Sequence, residues 1–146
     1  MHSWRDDVSD TAQAELDRLL DSALRVAQGK LGQAAEFEPV AILMDVDARI
    51  LEMALDTTEL GKHPSTQTLI DSALVNLRQI KKSAICTALI INTHLSKDKT
   101  DAVEIRLEHR DGASLVVLLR YKRANFGNQV TYGELSAFSG RSIVWA

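Results

Sequence analysis

The stretch that most constrains this chain is Ala102 to Tyr121, AVEIRLEHRDGASLVVLLRY. Asp111-Gly112 between two apolar runs is a strong hairpin signal, because glycine accepts the positive φ that a tight turn requires. The first arm alternates: Val103, Ile105 and Leu107 fall on one face, Glu104, Arg106 and Glu108 on the other. The second arm, Leu115 to Leu119, is apolar throughout, so both of its faces need cover. The pattern predicts an antiparallel sheet with residues 115–119 at its middle. Two registers are open. A two-residue loop sets Leu107 opposite Val116 and Ile105 opposite Leu118; a three-residue loop with a glycine bulge sets Leu107 opposite Leu115 and Ile105 opposite Val117. In either register one apolar row of the second arm lies beside the charged row and calls for a covering helix, strand or second chain.

The rest of the chain supplies two helices and three further strands. Residues 1–9 read as a flexible arm, and residues 10–146 as one α+β domain. Ser9, Asp10 or Thr11 caps a first helix, whose stripe is Leu16, Leu19, Leu20, Ala23, Leu24, Ala27 and Leu31. Val40 to Met44 and Ile50 to Leu55 form a second hairpin, joined through Asp45-Val46-Asp47-Ala48. A polar connector leads to a helix from about Ser65 to Lys82, with Leu69, Ile70, Ala73, Leu74, Leu77 and Ile80 inward. Ala84 to Ile91, AICTALII, is an apolar strand. Asn125 to Asn128 is a turn. Beyond it Tyr132 to Phe138 reads as one helical turn or irregular chain, and Ile143 to Trp145 as a short last strand. The expected architecture is therefore an antiparallel sheet of about five strands with two main helices, in the order α-β-β-α-β-β-β plus a short tail.

By that element order, over residues 10–121, the chain is similar to the profilin-like architecture of roadblock and longin-type domains. The resemblance implies a five-stranded antiparallel sheet with helices on its faces and the last strand placed centrally. The tail departs from it, because a long closing helix is implied where this chain has Gly133 and Gly140. Such a likeness of fold carries no function with it.

Composition narrows the classes. At 146 residues, with 45% hydrophobic side chains, the chain buries roughly 70% of its unfolded surface and stands without disulfide or metal. A net charge of −3 argues against a nucleic-acid binder, which carries a basic excess. No apolar run approaches the ~18 residues of a membrane span, and MHSWRDDVSD lacks a signal peptide's charged and apolar regions. The expected location is the cytoplasm. The single cysteine, Cys86, sits in an apolar run and reads as a buried structural thiol.

No catalytic, cofactor or metal signature stands out. Asp45 and Asp47 form the nearest approach to a carboxylate pair, but aspartates at a turn ordinarily bond backbone amides. His94 and His109 would approach each other only if the strands that carry them pair in the right register. Arg141, in Ser139-Gly140-Arg141-Ser142, is the one candidate for holding an anion. Arg120, Lys122 and Arg123 are a basic cluster for a charged contact, although alternation sends them to both faces. Glu104, Arg106, Glu108 and Arg110 read as a solvated row.

Two functional readings follow. The first is a non-catalytic cytoplasmic interaction or regulatory module that pairs with itself or another protein, using helix two or a sheet edge, with no nucleic acid, membrane or cofactor involved. The second is a small-molecule or metal-dependent site, enzymatic or not, between sheet and helices. It would use Asp45, Asp47, His94 and His109, with Arg141 for an anion, and requires them to converge.

Overall fold

The computed structural model describes residues 8–54, 60–124 and 129–146. The arm expected over residues 1–9 falls outside the described residues except for 8 and 9, as do the turn expected at residues 125–128 and the expected strand end at Leu55.

Helix α1 (Asp10–Gln33) starts where the Ser9 hydroxyl accepts the Ala12 N–H at 3.2 Å. Its inward stripe, Ala12, Leu16, Leu19, Ala23, Ala27 and Leu31, keeps helical spacing and is buried throughout. Helix α2 (Thr66–Ile80) is capped in the same way by Ser65, which accepts from Thr68 N at 3.1 Å. It buries Leu69, Ile70, Ala73 and Leu77. One 3-10 turn, Lys81–Ser83, delivers the chain into the sheet.

Six strands make the sheet: β1 (Val40–Asp45), β2 (Ile50–Met53), β3 (Ala84–Leu95), β4 (Thr100–His109), β5 (Ser114–Arg123) and β6 (Val130–Ser139). Their spatial order is β2-β1-β3-β4-β5-β6, and every neighbouring pair is antiparallel. This is the α+β class read from the sequence, with one strand more. At the organising turn, His109 N–H donates to Ala113 O and Gly112, at φ +107°, donates to His109 O. The loop therefore has three residues, and Leu107 faces Leu115 while Ile105 faces Val117.

The helices cover opposite faces. α1 packs on Ile42, Met44, Ala88, Ile90, Ile105 and Val117; α2 packs on Ala41, Leu89 and Ile91. Hence β1 is buried along its whole length and β3 from Ala84 to Ile91, which explains their unbroken apolar runs.

Residues 115–119 are not the middle of the sheet. Leu115, Val117 and Leu119 are buried on the α1 side, but Val116 and Leu118 are only partly covered, because α2 lies over β1 and β3 and stops short of them. The spatial order also departs from the profilin-like arrangement: β3 lies beside β1, and the last strand is an edge. The tail differs too. Val130–Ser139 is a full strand, while Val144 and Trp145 form a turn and not a strand. A bulge accounts for the misleading pattern. Opposite Leu119 to Tyr121, β6 carries one extra residue at Gly133-Glu134, so the two-residue period breaks and then resumes out of phase.

Gly140 ends β6 against β5, where a Cβ would stand 2.9 Å from the Ser114 hydroxyl and 3.0 Å from Leu115 N. The chain then returns across the α2 side, and Val144, 1% exposed, joins the cluster under α2. No helix among the described residues is long and apolar enough to cross a membrane.

Candidate functional site

The residues nominated by the sequence do not meet. Asp45 closes the β1–β2 turn: its Oδ1 accepts from the Asp47 and Arg49 amides, both at 2.9 Å, and its Oδ2 takes Arg49 Nε at 3.1 Å. The Arg49 amide above all, then the Asp47 amide and the Arg49 guanidinium, hold the carboxyl below its usual range against an opposing desolvation. Asp47 points outward to Arg49. This is the turn-stabilising use of the pair, and Ala48 at φ 64° shows how tight the turn is.

His94 and His109 lie at opposite ends of the β3–β4 pair. His94 faces Asp101, with Nδ1 3.0 Å from its Oδ1, whereas His109 faces Cys86. Eight residue steps along β4 separate the two rows, roughly 27 Å. His109 is 5% exposed. Its Nδ1 takes the Asp111 N–H at 3.1 Å, and its Nε2 sits 2.9 Å from Glu15 Oε1 on α1. The tautomer with the proton on Nε2 satisfies both contacts. Cys86, His109 and Glu15 thus occupy one side of the sheet, in an order that resembles an activated thiol. The chemistry is the opposite: desolvation first, then the Glu15 charge, push the buried thiol up to about 12. Among the described residues no group of three His, Cys, Asp or Glu is placed to hold a metal ion.

The basic cluster is dispersed as well. Arg120 pairs with Asp98 at 3.0 Å and reaches the Ser136 hydroxyl at 3.0 Å. Arg123 donates to Leu31 O and Ala34 O, closing the end of α1. Lys122 is left exposed.

Glu108 corrects the reading of its row as solvated. It is 6% exposed, and its carboxylate accepts backbone N–H groups from Ile143 at 2.8 Å, Val144 at 2.9 and 3.0 Å, and Trp145 at 3.4 Å. Arg78 Nε adds a bond to Ile143 O at 3.0 Å. The C-terminal segment is thereby strapped across the α2 side. Beneath it lies a cleft of about 340 Å³ lined by Leu74, Leu77, Leu89, Arg106, Val116 and Arg141. Asp45, Asp47, His94 and His109 are not in its wall.

What remains open is the β6 side of the sheet. Among the described residues no strand lies beyond β6. Leu135 is 53% and Phe138 51% exposed. Phe138 stands beside Val116, and Ser136 beside Leu118, so the apolar row that called for cover continues to the edge. In ten residues β6 carries a single charge, Glu134, and no proline. Long, weakly charged edges are templates for pairing, and other proteins blunt them. The opposite edge, β2, is four residues long. The sequence signal for this surface was present in the uncovered row of β5, but not in β6 itself.

The described residues thus form an α+β protein whose six-stranded antiparallel sheet carries one helix on each face. Comparison with models of known protein families, with curated proteins and with solved structures finds no match.

Proposed function

We propose that this chain is a non-catalytic, cytoplasmic protein-interaction module, and that it meets its partner along β6 and the adjoining α2 side of β5. The partner is a protein, either another chain or a second copy. One observation carries the reading: a ten-residue edge strand with one charge leaves Leu135 and Phe138 half exposed. The side chains best suited to chemistry support it by being occupied elsewhere. Asp45 closes a turn, His109 ties α1 to β4, and Glu108 anchors the strap.

The test is a photo-crosslinking residue placed at Phe138 and, as a control, at Asp21 on the exposed side of α1, each expressed in the native cell. A discrete protein adduct formed from position 138 and not from position 21 is the expected result. No adduct at 138, together with a thermal shift induced by a metal ion or a nucleotide, would overturn the reading in favour of a small-molecule site.

A further inference from the structure

The bulge at Gly133-Glu134 divides β6 into two unlike halves. Amide directions in the second half follow from two backbone bonds. Gly140 N–H donates to Ser114 O, and His109 N–H to Ala113 O. Hydrogen-bonded pairs alternate along an antiparallel ladder. With Leu115 opposite Ser139 and Val116 opposite Phe138, residues 136 and 138 bond inward to β5. Leu135, Ala137 and Ser139 therefore turn both N–H and C=O outward. In the first half the bulge and Glu134 guard the edge; Leu135–Ser139 has neither device.

We propose that two copies of this chain pair antiparallel along Leu135–Ser139, about a two-fold axis normal to the sheet that passes between the two Ala137 residues. The proposal rests on the reading above and names its partner. In this register Leu135 faces Ser139 of the second copy, Ser136 faces Phe138, and Ala137 faces Ala137. All three outward residues fall in hydrogen-bonded pairs, each exchanging two bonds. Every large side chain meets a small one, and no like charges meet. Centring the axis on Ser136 leaves two such pairs and sets Phe138 against Glu134. Centring it on Leu135 runs the bulge into Ala137.

Charge singles out a second copy over an unrelated strand. Past the paired segment, Glu134 comes opposite Gly140 of the second copy, one residue from its Arg141. Both side chains are exposed, and neither has an ion-pair partner among the described residues. The two-fold axis brings this acid–base pair together twice. A contact of five residues a side falls below the ~1,200 Å² of stable complexes, so the dimer forms and dissociates with concentration.

Site-directed disulfides test the register. Facing residues of a hydrogen-bonded pair have Cα atoms about 5.5 Å apart, inside the range of roughly 4.4–6.8 Å that a disulfide bridges. Under mild oxidation Ala137→Cys gives a covalent dimer. Leu135→Cys and Ser139→Cys give none singly, and the double variant does. Native Cys86, buried within the sheet, stays out of the reaction. Sedimentation equilibrium of the unmodified chain shows association that Glu134→Arg weakens and that Glu134→Arg with Arg141→Glu restores. Equal crosslinking by all three single variants, or a strict monomer with no Ala137→Cys dimer, overturns the proposal. In that event a Phe138 adduct with a different protein leaves the interaction reading standing, and its absence removes both.

Discussion

Replacing Glu108 by alanine removes the carboxylate that holds the C-terminal strap. Three consecutive amides, Ile143, Val144 and Trp145, lose their acceptor. If the strap stayed in place those donors would be buried without partners; instead it swings into water, where they rehydrate. The loss is then the net worth of hydrogen bonds to a charged acceptor, about 1.5–3 kcal/mol, plus burial of the Val144 side chain, about 1.5–3 kcal/mol. A total near 4 kcal/mol is expected in urea denaturation followed by circular dichroism. Truncation after Ser142 removes the same contacts and should cost a similar amount. Because both changes break one unit, the double variant should cost little more than either alone. In wild type the Val144 amide should exchange slowly, and in Glu108→Ala at the rate of an open chain. A cost under about 0.5 kcal/mol, or fully additive costs, would refute the strap as a structural unit.

Two further outcomes follow from the same geometry. Asp45→Asn keeps an acceptor at the turn but loses the charge. The folded pKa lies below the ordinary 3.8, so the charge stabilises above about pH 4 and its contribution disappears as pH falls through the lowered value. The variant should be less stable than wild type at pH 7 and converge with it in acid. A gap that stays constant to pH 2 would contradict this. Ile105→Ala, at a fully buried site, should cost about 2–5 kcal/mol, whereas Leu118→Ala should cost only about 1 kcal/mol because its side of β5 is open. Equal costs would mean that something covers that row.

Where a local signal was complete, the sequence led directly to structure. Both helices are announced by an apolar stripe, the first also by a capping residue among Ser9, Asp10 and Thr11, and the Asp-Gly turn by its glycine. The register at that turn stayed open because Asp111-Gly112 suits a two- or a three-residue loop; the bond from His109 N to Ala113 O decides it. The sheet centre is hidden from the sequence for a related reason. Leu115–Leu119 and Ala84–Ile91 are both unbroken apolar runs, and composition does not say which lies under two helices. In β6 one inserted residue put Val130 and Tyr132 out of phase with Leu135 and Ala137, which hid ten residues of strand. Glu108 falls in strict alternation with Glu104 and Arg106, and only the returning tail distinguishes it. The bond between Glu15 and His109 joins residues 94 apart, a pairing that no local pattern announces. The nominated residues do not converge, because Asp45 and Asp47 share one turn, His94 and His109 lie at opposite ends of the β3–β4 pair, and Arg141 follows β6.

Residue-level amide exchange across a concentration series reads the β6 edge most directly. In dilute solution Leu135, Ala137 and Ser139, whose N–H groups face away from β5, should exchange freely, while Ser136 and Phe138 are protected by the sheet. As concentration rises, the three outward amides should become protected together and amides elsewhere on the surface should not change. Rates at Leu135, Ala137 and Ser139 that remain fast and identical at every concentration would contradict pairing along this edge.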